Sequence, residues 1–92
     1  MVLRRETVRF RIGSDSIPLD LEEAKEFQAR LSLAPGGRPL EREIQLAIEN
    51  KTPVVVAENH TAAAVSVLAT WFEEEGESSA AVGELLAKLR TA

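Results

Sequence analysis

TPVVVAENHTAAAVSVLATWFEEEG, residues 52–76, is the stretch on which the fold turns. A proline opens a run of three valines, short, β-branched and bounded, as a buried strand requires. Asn59 offers a helix N-cap, and an apolar block follows as far as Glu73. At helical spacing Ala64, Val67, Leu68, Trp71 and Phe72 share one face, yet Ala62, Ala63, Val65 and Ala69 leave almost no polar face opposite. A helix that is apolar all round is covered on more than one side. The segment therefore predicts a strand leading into a central helix that its own chain or a partner must wrap.

Working toward the N-terminus, Leu40, Ile44, Ala47 and Ile48 fit a helix that starts with Pro39 in its first turn. Ile44, Leu46 and Ile48 also alternate as a strand would, which would make the chain a repeated ββα unit. The stretch is rich in Glu, Arg, Gln, Leu and Ala, and these helix formers favour a helix over Pro39–Lys51. Ala34-Pro35-Gly36-Gly37 is loop chemistry. Before it, Asp20 with Glu23 three positions on makes a capping box, and Leu21, Ala24, Phe27, Gln28 and Leu31 continue a helix over 20–32. Val8, Phe10 and Ile12 alternate with Thr7, Arg9 and Arg11, the period of a half-buried strand. Gly13-Ser14-Asp15-Ser16 reads as the turn and Ile17-Pro18-Leu19 as a short return strand, with Pro18 restricted to an edge. Beyond Gly76 a last helix starts near Ser78 or Ser79, with Val82, Leu85, Leu86 and Leu89 in one stripe.

These elements predict a single α+β domain over residues 1–92. It is a small two-layer α/β sandwich: an N-terminal hairpin and a third strand, Val54–Val56, packed against three to four helices. An antiparallel sheet with helices on one face fits their order better than a doubly wound fold.

Composition narrows function mainly by exclusion. The chain has 92 residues, 45% of them hydrophobic and 28% charged, as expected of a folded globular domain. Cysteine is absent, which excludes disulfides, thiolate metal sites and a cysteine nucleophile. Arginines in MVLRRETVRFRI stand where a secretory signal needs its apolar core, and the longest apolar block is short and alanine-rich for a membrane span. A cytoplasmic protein is the expectation. The net charge of −4 disfavours wholesale binding to nucleic acid or anionic lipid.

No catalytic constellation, cofactor motif or metal-ligand pattern stands out. His60, the only histidine, lies at the strand-to-helix junction where anions bind, but it lacks a recognisable orienting partner. It is expected to be an ordinary exposed first-turn residue. Gly36-Gly37-Arg38 lacks the Gly-Lys-Ser/Thr ending of a phosphate loop and is expected to be a connection. Arg5, Arg9 and Arg11 share a strand face with Thr7, a cationic stripe with no aromatic interleaved for base stacking. Glu73, Glu74 and Glu75 form an acidic counterpart at a helix end.

Trp71 and Phe72 diverge by about 100° on a helix, so both cannot point at one core centre. One of them is a candidate partner anchor, and the candidate interface is Ala62, Val65, Ala69, Trp71 and Phe72. The expected function is a non-enzymatic protein-protein interaction module, self-associating as a homodimer or serving as a small subunit of a larger assembly. The alternatives are an acidic inhibitor or antitoxin-like protein that masks a basic partner, and, further off, nucleic-acid binding through the arginine strand.

Overall fold

The computed structural model describes residues 6–75 and 80–91. Strand β1 (Thr7–Ile12) turns through Gly13 and Ser14 into β2 (Asp15–Asp20). Gly13 takes φ +59 and Ser14 does not, as in a tight turn of the II′ class, whose twist suits a two-residue hairpin. The turn is thus shorter, and the return strand longer, than the composition of residues 13–16 suggests. Val8, Phe10 and Ile12 point inward, opposite Leu19, Ile17 and Asp15. Pro18 sits on an outer strand, since the sheet order is β2-β1-β3.

Helix α1 (Leu21–Leu33) begins at Asp20, whose backbone N–H donates to Glu23 Oε1 at 3.2 Å. That capping box satisfies one of the orphan groups at the helix start. Ala24, Phe27 and Leu31 form the buried stripe. Helix α2 (Arg38–Asn50) has Pro39 in its first turn and buries Leu40, Ile44 and Ala47, so helix propensity prevails over the alternating pattern of Ile44, Leu46 and Ile48. Gly37 lets the two helices meet closely. It is buried, and a Cβ there would collide with the Leu31 backbone carbonyl. Lys51 ends α2 in the left-handed region at φ 55.

Strand β3 covers only Val54–Val55 and runs parallel to β1, pairing Val54 with Phe10 and Val55 with Arg11. The sheet is therefore mixed rather than antiparallel. The connection through α1 and α2 joins β2 to β3, which run antiparallel to one another on opposite sides of β1. A 3₁₀ turn (Glu58–His60) precedes α3 (Thr61–Glu75), so the helical segment starts from Ala57 and Asn59 lies inside the turn instead of capping α3. Helix α4 (Ala80–Thr91) is the last described element, with Val82, Leu85, Leu86 and Leu89 all buried. The start expected at Ser78 or Ser79 lies outside the described residues.

The four helices among the described residues lie on the inner side of the sheet. Helices α1 and α4 pack on β1 and β2, α2 packs on α1 and β3, and α3 packs on α1 and α4. The buried side chains form one cluster that includes Phe10, Phe27, Leu31, Leu40, Leu68 and Leu85, all without accessible surface. Burying each such side chain contributes about 1.5–3 kcal/mol. Among the described residues no helix is long and apolar enough to cross a membrane.

Helix α4 touches both the sheet and α3, so its stripe belongs to the cooperative core. Leu85→Ala is expected to lower unfolding free energy in a denaturant titration by about 2–5 kcal/mol. A loss below about 1 kcal/mol, within the range of ordinary surface changes, would show that α4 melts separately.

Candidate functional site

The candidate anchor Trp71 lies inside its own chain. It is 7% exposed, with its ring 6.5 Å from that of Phe27, which in turn lies 5.6 Å from Phe10. Three aromatic rings thus connect sheet, α1 and α3. The Arg30 guanidinium stacks 5.3 Å from the Trp71 ring centre and donates to Glu26 and Glu74 at 2.8 Å each. The Glu74 hydrogen bond raises the Arg30 pKa above its ordinary value, desolvation by burial opposes the rise, and Glu26 adds to it. Arg30 thereby closes the outer side of Trp71. The tryptophan leaves the candidate interface because α1 reaches it, with a side chain long enough to cover its face.

Phe72 is half-buried against α4, where a Cβ added at Gly83 would lie 3.2 Å from Phe72 Cε2. The rest of the expected interface divides, with Ala62 exposed and Val65 and Ala69 half-buried. What remains outward on α3 is a row of small residues with Ser66 and Thr70 among them, and not a large apolar patch. The apolar character on which the sequence expectation rests is mostly alanine, which adds little area per residue.

The charged candidates separate as well. Glu73 and Glu74 are exposed, and Glu74 is engaged by Arg30. The side chain of Glu75 and all of Arg5 lie outside the described residues. Arg9 and Arg11 are exposed on the outer sheet face, and neither has an ion pair or side-chain hydrogen bond with a described residue. Across the strands Arg9 faces Pro18, while Arg11 lies between Ser16 and Val55, the latter 60% exposed. Nothing described covers this face.

His60 departs from the exposed position expected of it. It is half-buried, and its Nδ1 is enclosed without a hydrogen-bond partner. Entry into α3 through the 3₁₀ turn, with the His60 N–H donating to the Ala57 carbonyl at 2.9 Å, draws the ring inward. Among the described residues no three acidic or imidazole groups converge as a metal site requires.

A feature that sequence reasoning missed is a cleft of about 490 Å³ at the N-terminal end of β1. Glu6, Thr7, Val8 and Arg9 line one side, Ala47, Ile48, Lys51, Thr52 and Pro53 the other, and Leu21 also borders it. Its volume is that of an ordinary ligand cleft. It exists because β3 is two residues long and α2 ends short of β1, a consequence of pairing register that no local pattern carries. No protein family, curated protein or solved structure matches this chain.

Trp71→Ala is expected to cost about 3–5 kcal/mol in a denaturant titration, as for other large-to-small core changes. A folded Trp71→Ala protein within about 1 kcal/mol of wild type, together with a change in molecular mass by light scattering, would return Trp71 to an intermolecular interface.

Proposed function

We propose that this chain is a non-enzymatic protein-interaction module, a small subunit of a larger cytoplasmic assembly, that receives a protein partner on the outer face and open edge of its sheet. The observation that carries this reading is the state of β1. It is the central strand, yet among the described residues its outward cations Arg9 and Arg11 lack partners and its edge beside the cleft is unpaired. Guanidinium groups recognise carboxylates through paired hydrogen bonds, and arginine is enriched at interface hot spots. Val55 and Pro18 add apolar area around them.

Self-association through α3 draws less support, since Trp71 is enclosed by Arg30 and Phe27 and the outward residues are small. An acidic inhibitor would rely on Glu73 and Glu74, the second of which is already engaged by Arg30.

Affinity capture from the native cell, with the wild type and an Arg9→Glu/Arg11→Glu double variant as parallel baits, tests the reading. The expected result is at least one protein enriched about tenfold or more by the wild type over the variant, a difference of about 1.4 kcal/mol in binding. Identical captured sets from two equally folded baits would contradict it.

A further inference from the structure

The backbone of β1 indicates the form of the partner. The Val56 N–H donates to the Arg11 carbonyl at 3.0 Å, so the polar groups of Arg11 point toward β3. On the other side the Leu21 N–H donates to the Glu6 carbonyl at 2.9 Å, so Glu6, and with it Val8, Phe10 and Ile12, directs its polar groups toward β2. Backbone groups alternate along a strand as its side chains do, which places the N–H and C=O of Thr7 and the N–H of Arg9 on the β3 side. There β3 is absent, because its pairing stops at Phe10 and Val54. No described group bonds to these three, and they face the cleft. A row of unpaired strand groups is a template for another strand.

We infer that the cleft binds an extended segment of another protein by strand addition to β1, the segment alternating apolar residues that face Val8, Ala47, Ile48 and Leu21 with acidic residues that face Arg9. This rests on the interaction-module reading and specifies its chemistry. The apolar preference follows from the inner wall, where Val8 and Ala47 are buried and Ile48 and Leu21 half-buried. The acidic preference follows from Arg9 and Lys51, exposed beside the cleft and without a described ion-pair partner, with Arg11 further along the same face.

A second copy of the chain is the wrong occupant. Two β1 edges could meet only along Thr7–Arg9, since Arg11 is paired with β3, and would bring the Arg9 side chains of both protomers together on one sheet face, where neighbouring like charges are destabilising. Pairing with Thr7 and Arg9 occupies about four residues, or about 13 Å of strand. Main-chain bonds then hold the segment and the alternating side chains select it, as in other cases of strand addition.

The test uses the full chain and a capped hexapeptide of alternating valine and glutamate, followed by amide chemical shifts in a titration to about 1 mM, the weak end of peptide recognition. Shifts should concentrate at Glu6–Arg9 and Ala47–Thr52, and the lysine-for-glutamate peptide should bind about tenfold or more weakly. Thr7→Pro, which removes one edge donor while leaving the β2-facing bonds, should abolish binding. Thr7→Val, which keeps that donor, should bind as wild type does.

If Thr7→Pro fails to fold, Arg9→Glu still decides, with an expected loss of about tenfold or more. No shifts at the highest concentration would overturn strand addition, as would shifts confined to Arg11 and Val55 on the outer face. Concentration-dependent shifts without peptide would assign the edge to a second copy and overturn it too. Capture that still depends on Arg9 and Arg11 while the peptide fails would leave the interaction module standing without its strand mode.

Discussion

Everything in this fold leans on β1. Its inward residues, Val8, Phe10 and Ile12, are the sheet's contribution to the core, and Phe10 begins the aromatic line that passes through Phe27 to Trp71. Along the hairpin β1 is paired over its full length by β2, whereas β3 meets it at only two positions. The strand is thus buried below, supported along one edge and half open along the other. That asymmetry stabilises a small domain and exposes backbone hydrogen-bonding capacity at one place. Free edges elsewhere are usually short or blunted by charge or proline, and Pro18 on β2 follows that habit.

The helices explain how a chain of 92 residues encloses an almost uniformly apolar α3. Ala64, Val67, Leu68 and Trp71 make one buried face against α1 and α4. Arg30 supplies the remaining cover over Trp71 by using its length and its two glutamate partners. Such partly exposed pairs contribute about 0–1 kcal/mol each in stability. Their larger effect here is geometric, since they hold a guanidinium plane against the indole.

Most of the fold was legible because its signals are local. The stripes of α1 and α4, the capping box at Asp20 and the alternation of β1 each depend on residues within one or two turns of one another. Propensity settled α2, where two periodicities compete over the same residues. What local pattern could not carry was the direction of β3 and its length, because pairing is a relation between Val54 and Phe10, 44 positions apart. The same limit hid the cleft, whose two walls come from β1 and from the end of α2. The burial of Trp71 within its own chain was hidden as well, because its cover comes from Arg30, a distant residue of another helix. His60 was misplaced because the 3₁₀ turn, and not Asn59, starts the helical segment. Of the candidate surface, Arg9 and Arg11 were readable from alternation alone, while the open edge beside them was not.

Among the described residues β1 presents unpaired backbone groups at Thr7 and Arg9 while its other amides are bonded. Residue-resolved hydrogen exchange of the folded protein measures this directly. The amides of Val8, Phe10 and Arg11 should exchange about a hundredfold or more slowly than those of Thr7 and Arg9, since protection follows hydrogen bonding and burial. Thr7 and Arg9 amides as protected as that of Phe10 would show that the edge is already occupied, and would contradict the account.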